Sequence, residues 1–407
     1  MKKKQRKYAL SGIATAALMA LSTLSYAQSA PKVKIGVLTD MSGPYASMGG
    51  AGSVAAAKLA VEDCLAKECK GMDIDVIFAD NQNKADVGAA KAREWFDREG
   101  VTAIADLTNS AVALAVQNIA KEKNRIALFS GPATTVLTNK ECSPVGFHWM
   151  FDTYSQSVGG VKATIDAGGK SWYFLTVDYA FGHSLESDTS AMVKKLGGTV
   201  SGQVRHPLNN SDFASFLLQA QSSGADVVAL ANGSQDTVNA VKQAKEFGIT
   251  SGKQRLVALL LFLSDVRALG NEVAQGLSYV DGFYWDFDDG TRAFSDRFAN
   301  AFNNLKPTMT HAGVYSSVYH YLKGVASAKT VEGDQVATAM RAIPIEDSVL
   351  RNASIRPNGR VIHDMYLYQV KKPDEKSSEW DYSKLLATIP AEEAFQPLSE
   401  STCSLIK

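Results

Sequence analysis

The order of apolar and polar residues predicts regular alternation of strands and helices in the first part of the chain. Each short apolar run is followed by a stretch with apolar residues at helical spacing. The predicted strands are 33–40, 74–80, 101–108 and 126–131, and the helices between them are 52–65, 85–99 and 110–121. This alternation is typical of a mostly parallel sheet covered by helices on both faces.

A second series of the same kind follows, and the C-terminal part then changes character. The second series has predicted strands at 172–178, 198–207, 225–233, 256–264 and 276–285, and helices at 290–304, 310–327 and 333–342. Residues 354–370 alternate around a Pro-Asn-Gly turn, which predicts a β-hairpin. A chain of 407 residues exceeds one ordinary core. We therefore expect an α/β fold with two lobes, each a mostly parallel sheet flanked by helices.

The first 27 residues have the three parts of a secretory signal peptide. A basic segment at 2–7 precedes an apolar stretch at 8–24, and Ser25-Tyr26-Ala27 supplies small residues for cleavage after Ala27. The alternative is a membrane-spanning helix, but polar residues interrupt the stretch, which is short for a span of about 20 residues. We expect a soluble mature protein in the periplasm.

The charge balance disfavours a nucleic-acid partner. The chain has 42 basic and 42 acidic residues, and five of the basic ones precede residue 8. The mature chain therefore has 37 basic residues against 42 acidic ones, a net charge of about −5. Binding to nucleic acid requires a basic surface that neutralises phosphates.

Four cysteines are compatible with two disulfides in an oxidising compartment, namely Cys64, Cys69, Cys142 and Cys403. Three pairings are possible. We favour Cys64–Cys69, which closes a small loop, and Cys142–Cys403, which ties down the C-terminal tail. The alternative is four buried free thiols. A zinc site is disfavoured because the chain has no CxxC spacing and no histidine near a cysteine pair.

Several predicted strand-to-helix turns are rich in Ser, Thr, Asn and Gly. They are 40–50, 107–113 and 130–135 in the first series and 178–184 and 231–237 in the second. In open α/β sheets ligands bind at the carboxyl ends of the strands, where helix N-termini offer unpaired N–H groups to an anion. One such turn alone is an ordinary N-cap. Five of them on two lobes predict a binding cleft.

Aromatic residues accompany these turns and predict the walls of a pocket. They are Tyr45, Tyr179, Phe181, Phe262, Tyr284 and Trp285. The loop positions of Tyr45, Tyr179 and Phe181 favour a pocket wall. Core packing is an equal alternative for Phe262 and Trp285.

The sequence has no catalytic constellation. Residues 50–55 match GxGxxA, but they begin ten residues after a strand and lack the acidic partner of a dinucleotide fold. GxSxG, Walker and HExxH motifs are absent from the sequence. The six histidines are scattered, and only His183 falls in a predicted cleft turn. We expect no enzyme activity, no metal and no cofactor.

An ordered set of segments resembles the type I periplasmic solute-binding proteins of ABC importers, the branched-chain amino acid binding group. The segments are 34–49, 130–138, 178–182, 225–233, 275–277 and 312–322. The resemblance implies two lobes joined by three crossover segments. It implies a first lobe of 31–150 plus 284–353 and a second of 151–283 plus 354–407.

The resemblance also implies a set of ligand contacts. Asn109, Ser110, Ala133 and Thr134 would bind a ligand carboxylate through hydroxyl and backbone N–H groups. Met48 falls where the family often has an aromatic wall, and Phe181 and Asn232 match contacts of the second lobe. With the aromatic residues, the predicted ligand-binding set is Tyr45, Met48, Asn109, Ser110, Ala133, Thr134, Tyr179, Phe181, Asn232 and Phe262.

One departure from the family changes the expected ligand. Amino-acid-binding members have an acidic residue just after the strand that matches 256–264, whereas residues 261–264 here read LFLS and Asp265 is shifted beyond. A buried ammonium without a carboxylate is costly. An apolar lining suits a ring instead, and the chain resembles a branch of the family that takes up aromatic acids. We therefore expect an aromatic or other apolar carboxylate, such as a hydroxycinnamate- or benzoate-like acid. A branched-chain amino acid, with Asp265 or Asp236 serving its ammonium, is the alternative.

Three classes of function remain to be compared. The resemblance implies transport, with a membrane permease and an ATPase as partners. The same fold could instead present its closed form to a membrane receptor as a sensor. An amide hydrolase that uses a serine or His183 is the third possibility, and the missing constellation disfavours it.

Overall fold

The computed structural model describes residues 31–249 and 252–406. The predicted signal peptide lies outside the described residues. Two parallel sheets, each flanked by helices, form two lobes, as the sequence predicts. We call the lobe built on the five-stranded sheet the first lobe, and the lobe built on the four-stranded sheet the second.

The sheet of the first lobe has the strand order β2-β1-β3-β4-β5, and all of its strand pairs are parallel. Its strands are β1 Lys32–Thr39, β2 Asp73–Asp80, β3 Ala103–Asp106, β4 Ile126–Phe129 and β5 Gly146–His148. The helices between them are α1 Gly50–Ala66, α2 Ala85–Glu94 and α3 Ser110–Glu122. The central strands β3 and β4 are buried throughout, which explains their continuous apolar runs.

The sheet of the second lobe has the order β7-β6-β8-β9, again with parallel pairs. Its strands are β6 Ser171–Val177, β7 Thr199–His206, β8 Val227–Ala231 and β9 Arg255–Ala258. Its helices are α4 Thr153–Asp166, α5 Ala180–Lys195, α6 Ala214–Ser222, α7 Gln235–Glu246, α8 Leu263–Leu269 and α9 Asn271–Ala274. The predicted strand 256–264 is wrong in its second half, because the chain leaves the sheet after Ala258 and enters α8.

The next three helices pack against the first lobe. They are α10 Asp289–Ala301, α11 Met309–Ala328 and α12 Gly333–Ala342. The long helix α11 contacts α1, β3 and β4, and it is buried over most of its length. The chain thus returns to the first lobe after completing the four-stranded sheet. The residue bounds predicted for the two lobes stay a prediction.

The C-terminal strands form two small antiparallel sheets. The strands are β10 Ser278–Asp281, β11 Ser354–Ile355, β12 Val361–Ile362, β13 Met365–Val370 and β14 Ser383–Ile389, and the short helix α13 spans Ala391–Ala394. The hairpin predicted for 354–370 is only partly correct. β11 pairs with β12, whereas β13 pairs with β10 and β14. Strand β14 was not predicted from the sequence.

Both favoured disulfides occur in the structure. Cys64–Cys69 closes the end of α1, and Cys142–Cys403 joins the segment after β4 to the last residues of the chain. In the described part of the chain, no helix is long and apolar enough to cross a membrane.

Candidate ligand-binding cleft

A small cavity lies between the lobes, at the carboxyl ends of their strands. The first lobe contributes the turns after β1, β3 and β4, and the second contributes the turns after β6 and β9. The lining residues are Tyr45, Met48, Thr108, Ser110, Gly131, Ala133, Tyr179, Phe181 and Leu260. None of these nine side chains carries a charge at neutral pH.

Hydrogen-bond donors meet on the side of the cavity that belongs to the first lobe. Ser110 is the first residue of α3, and its Oγ lies 3.3 Å from the backbone nitrogens of both Ala133 and Thr134. The start of a helix carries a partial positive charge. Both N–H groups donate to the Ser110 Oγ, so one hydroxyl and two backbone N–H groups meet at this point.

The second lobe contributes the apolar side of the cavity. Tyr179 and Phe181 stand at the start of α5, with ring centroids 6.0 Å apart. Leu260 follows β9, and Gly233 lies beside both Leu260 and Phe181. Rings and aliphatic groups of this kind suit the apolar body of a ligand.

Tyr45 and Tyr179 connect the two lobes across the cavity. Their phenolic oxygens are 2.7 Å apart, and burial raises the pKa of both groups, so each phenol stays protonated. The Tyr45 backbone N–H donates to Asp40 at 2.8 Å, which holds this loop in place. The backbone N–H of Gln235 also donates to the Pro44 carbonyl at 3.4 Å.

A further polar cluster at the turn after β4 joins Thr135 of the first lobe to Ser184 and Asp188 of the second. Thr135 and Thr153 both donate to one oxygen of Asp188 on α5, at 3.0 and 2.5 Å. Ser184 lies 2.9 Å from the Thr153 hydroxyl. Burial raises the pKa of Asp188 to about 6.

The cavity is narrow, and a wider pocket lies beyond the loop that carries Tyr45 and Met48. The cavity has a volume of about 10 Å³, space for one water molecule. The neighbouring pocket, lined by Ala46 and Ser47 on the same loop, has about 470 Å³. An aromatic ring at Ser110 therefore requires the lobes to separate or the loop at 45–48 to move.

Six of the ten predicted ligand-binding residues line the cavity, namely Tyr45, Met48, Ser110, Ala133, Tyr179 and Phe181. The other four are buried nearby and have structural partners. The Asn109 side chain caps α3 by accepting from the N–H groups of Ala111 and Val112. Thr134 caps the short 3₁₀ helix that follows it. Their direct contact with a ligand stays a prediction.

Asn232 and Phe262 pack within the second lobe. The amide of Asn232 lies 3.0 Å from His206 Nε2 and accepts from the Thr237 hydroxyl at 2.8 Å. The Phe262 ring packs edge-on against Phe151, with centroids 5.7 Å apart. Both side chains are fully buried, and neither lines the cavity.

The residues considered for other chemistry already have partners. His183 Nε2 lies 2.8 Å from Asp178 on an exposed surface. Asp265 accepts from the Phe262 N–H at 3.0 Å, and Asp236 accepts from the Asn209 and Asn210 N–H groups. Within residues 31–249 and 252–406, no group of three His, Cys, Asp or Glu side chains could hold a metal.

Sequence reasoning missed Thr108, Gly131 and Leu260 as lining residues. Thr108 and Gly131 lie within predicted ligand-binding turns, and Leu260 lies in the apolar run 256–264. The sequence therefore identified the turns that carry Thr108 and Gly131, but not these residues themselves. Which residue of a turn faces the cavity depends on backbone angles that the pattern does not give.

Comparison with known proteins gives the family. A family model described as periplasmic binding protein matches residues 32–377. The chain belongs to this family. It is similar to a periplasmic binding protein from Burkholderia mallei, with 47% identity, a TM-score of 0.89 and coverage of 92% of this chain and 99% of the other.

Two further structures extend the comparison. A branched chain amino acid ABC transporter periplasmic ligand-binding protein from Burkholderia xenovorans is 40% identical, with a TM-score of 0.82 and coverage of 92% and 100%. A solute-binding protein from R. palustris, in complex with 4-hydroxybenzoate, is 21% identical, with a TM-score of 0.78 and coverage of 88% and 97%. The last likeness shows the fold alone.

Proposed function

We propose that this protein is the substrate-binding component of an ABC importer, and that it captures an aromatic carboxylate between its lobes. The observation that carries the proposal is the arrangement around Ser110. Its Oγ accepts from the N–H groups of Ala133 and Thr134 at the start of α3, and we take these three donors as the anion site of the proposal. Phe181 and Leu260 face this site from the second lobe.

Among the described residues, no carboxylate lines the cavity, where an amino acid would need one for its ammonium group. The two carboxylates considered for that role, Asp236 and Asp265, already accept backbone hydrogen bonds. Burial raises their pKa values to about 6 and about 7, which disfavours the charged form that an ammonium requires. An acid without an ammonium group avoids this desolvation cost.

A branched-chain amino acid is the second candidate. It is favoured by the printed function of the 40% identical B. xenovorans protein. In that case the ammonium must reach one of these two buried carboxylates, which can accept it in addition to the backbone N–H groups because a carboxylate has about four acceptor sites. The protein from R. palustris shows that the fold accommodates 4-hydroxybenzoate.

Lobe closure supplies the mechanism of the proposed capture. The carboxylate binds first to the donors of the first lobe, and the second lobe then covers the apolar body. Closure excludes water and strengthens the buried hydrogen bonds. The closed form is the one that a membrane permease, driven by its ATPase, would recognise in the periplasm.

The ligand class can be tested by a thermal-shift screen followed by calorimetry. We expect benzoate, 4-hydroxybenzoate and 4-hydroxycinnamate to raise the melting temperature, because a ligand of the folded state stabilises it by mass action. Leucine, isoleucine and valine are the comparison set. Stabilisation by leucine alone would contradict the aromatic assignment and support the second candidate.

Transport and sensing can be separated in the host cell. Deletion of the gene should abolish uptake of the radiolabelled acid that binds, and the wild-type gene should restore uptake. Uptake that continues in the deletion strain would favour a sensor that presents its closed form to a receptor.

A further inference from the structure

A buried carboxylic acid, Asp106, lies beside the turns of the first lobe that line the cavity. It is the last residue of β3 and comes two residues before Thr108, which lines the cavity. Asp106 is fully buried, and neither carboxyl oxygen has a hydrogen-bond partner of normal geometry among the described residues. Among the described groups that shift its pKa, none carries a positive charge.

The carboxyl group lies one layer from the cavity. A Cβ atom built on Gly131, which lines the cavity, would be 2.6 Å from Asp106 Oδ1. A Cβ atom on Gly49 would be 2.9 Å from the other oxygen. Two glycines therefore leave the space that this side chain occupies, and Gly131 borders both the carboxyl group and the cavity.

The backbone around Asp106 adopts a conformation that is energetically unfavourable for L-amino acids. Asp106 and Leu107 have φ values of +76° and +62°. Aspartate tolerates this left-handed region, but leucine rarely adopts it. The carbonyl of Asp106 accepts from the N–H groups of Ser130 and Gly131, at 3.3 Å each. The conformation that places the carboxyl group also fixes the turn that carries Gly131.

The surroundings favour the neutral form of this acid. Burial is the main cause that raises its pKa to about 6, and the negative charge of Asp40 adds to it. The hydroxyls of Ser53 on α1 and Thr39 on β1 lower the pKa in part. From α11, His311 donates to the Gly49 carbonyl, and burial lowers its pKa to about 4, so it brings no positive charge.

We propose that a carboxylate enters the cavity together with one proton, and that this proton is held by Asp106. The inference rests on the proposed function, because it needs a negative ligand group at Ser110. Two carboxylates separated by a single glycine repel each other in a medium of low dielectric. Uptake of one proton from solvent by Asp106 leaves a single negative charge, which the donors at Ser110 can hold.

This coupling makes affinity depend on pH in a defined direction. Below the titration range of Asp106 the acid is already neutral, and affinity is at its maximum. Above that range each bound carboxylate must bring a proton, so the dissociation constant rises about tenfold per pH unit. Asp106 thus acts as a positioning residue that selects for singly charged ligands.

The variant Asp106→Asn tests the proposal with little change of shape. Asparagine tolerates the same backbone angles and has no charge. Asp281→Asn is the matched control, since Asp281 is equally buried, has a pKa raised to about 8 by burial and does not line the cavity. The probe is 4-hydroxybenzoate, measured by calorimetry from about pH 5 to about pH 8 in two buffers of different ionisation enthalpy.

We expect wild type and Asp281→Asn to take up about one proton per bound probe near pH 8 and to lose affinity about tenfold per pH unit above the midpoint. Asp106→Asn should bind the probe at pH 8 as tightly as at pH 5, with no proton uptake at this site. The signal of ¹³C-labelled carboxyl carbons, assigned by its loss in Asp106→Asn, should show protonation of Asp106 in the complex.

The outcomes separate this inference from the proposed function. Binding with the same pH slope in wild type and Asp106→Asn would overturn the role of Asp106 and leave the carboxylate site intact. A carboxyl signal that shows an ionised Asp106 in the complex would do the same. Failure of all three proteins to bind the probe at any pH would remove the aromatic-acid function and this inference with it.

Discussion

The two lobes present different chemistry to the cavity between them. On the first lobe, the polar groups already bond to one another, with Ser110 held by the N–H groups of Ala133 and Thr134. On the second lobe, Phe181 and Leu260 present carbon surface. A ligand carboxylate must compete with existing hydrogen bonds for the donors of the first lobe. The apolar part of the ligand only has to displace water from the second lobe. We infer that the first lobe selects the head group and the second selects the body.

The largest expected effect comes from Gly131→Ala on the first lobe. The added methyl group would lie 2.6 Å from Asp106 Oδ1 and 2.8 Å from the Thr108 Cα atom, so the backbone must move. Overpacking of this kind costs about 1–3 kcal/mol of stability. If this cost is expressed in binding, carboxylate affinity should fall by up to about 150-fold, as measured by calorimetry. Gly160→Ala is the control, because no atom lies within 4 Å of the new Cβ.

Ser110→Ala should have the next largest effect and should act on every carboxylate alike. It removes one hydrogen bond to a charged group, worth about 1.5–3 kcal/mol, or about 10- to 100-fold in the dissociation constant. Ser110→Thr retains the hydroxyl and should restore most of the affinity. An unchanged affinity in Ser110→Ala would place the carboxylate elsewhere.

Phe181→Leu tests the second lobe, and its effect should depend on the ligand. Loss of the ring contact weakens aromatic acids by about 0.5–1.5 kcal/mol, about 2- to 10-fold. An aliphatic acid of similar size should bind almost as well as it does to wild type. If both kinds of ligand weaken equally, the division of roles between the lobes is wrong.

Tyr179→Phe should have an effect no larger than that of Phe181→Leu. It removes the 2.7 Å contact with the Tyr45 hydroxyl and hence one hydrogen bond between the lobes. A neutral hydrogen bond contributes about 0.5–1.5 kcal/mol, so closure and affinity should weaken by about 2- to 10-fold. Tyr173→Phe on β6 is the control. A gain in affinity would mean that this contact holds the cavity shut against ligands.

The sequence predicted the lobes and the turns better than the single residues. Alternating apolar runs define parallel sheets because central strands are buried on both faces. The run 256–264 was assigned entirely to a strand, because periodicity alone cannot distinguish a buried strand from a buried helix. In the structure, the strand ends at Ala258 and α8 begins at Leu263.

The choice between cap and ligand contact also escapes the sequence. Asn109 and Ser110 are adjacent polar residues, but Asn109 turns to its own helix while Ser110 faces the cavity. Asn232 is bound to Thr237 and lies beside His206, which is 26 residues away in the sequence. The left-handed backbone angles at Asp106 and Leu107 turn Thr108 toward the cavity. The sequence pattern does not predict these angles.

The bridge between Cys142 and Cys403 has a consequence for where the chain can mature. It joins residues 261 positions apart, and so links the last segment of the chain covalently to a turn of the first lobe. Thiols pair stably only in an oxidising environment. In a reducing compartment the chain would form both sheets but lack this disulfide at its C-terminal segment. The complete covalent structure therefore depends on oxidation as well as on folding.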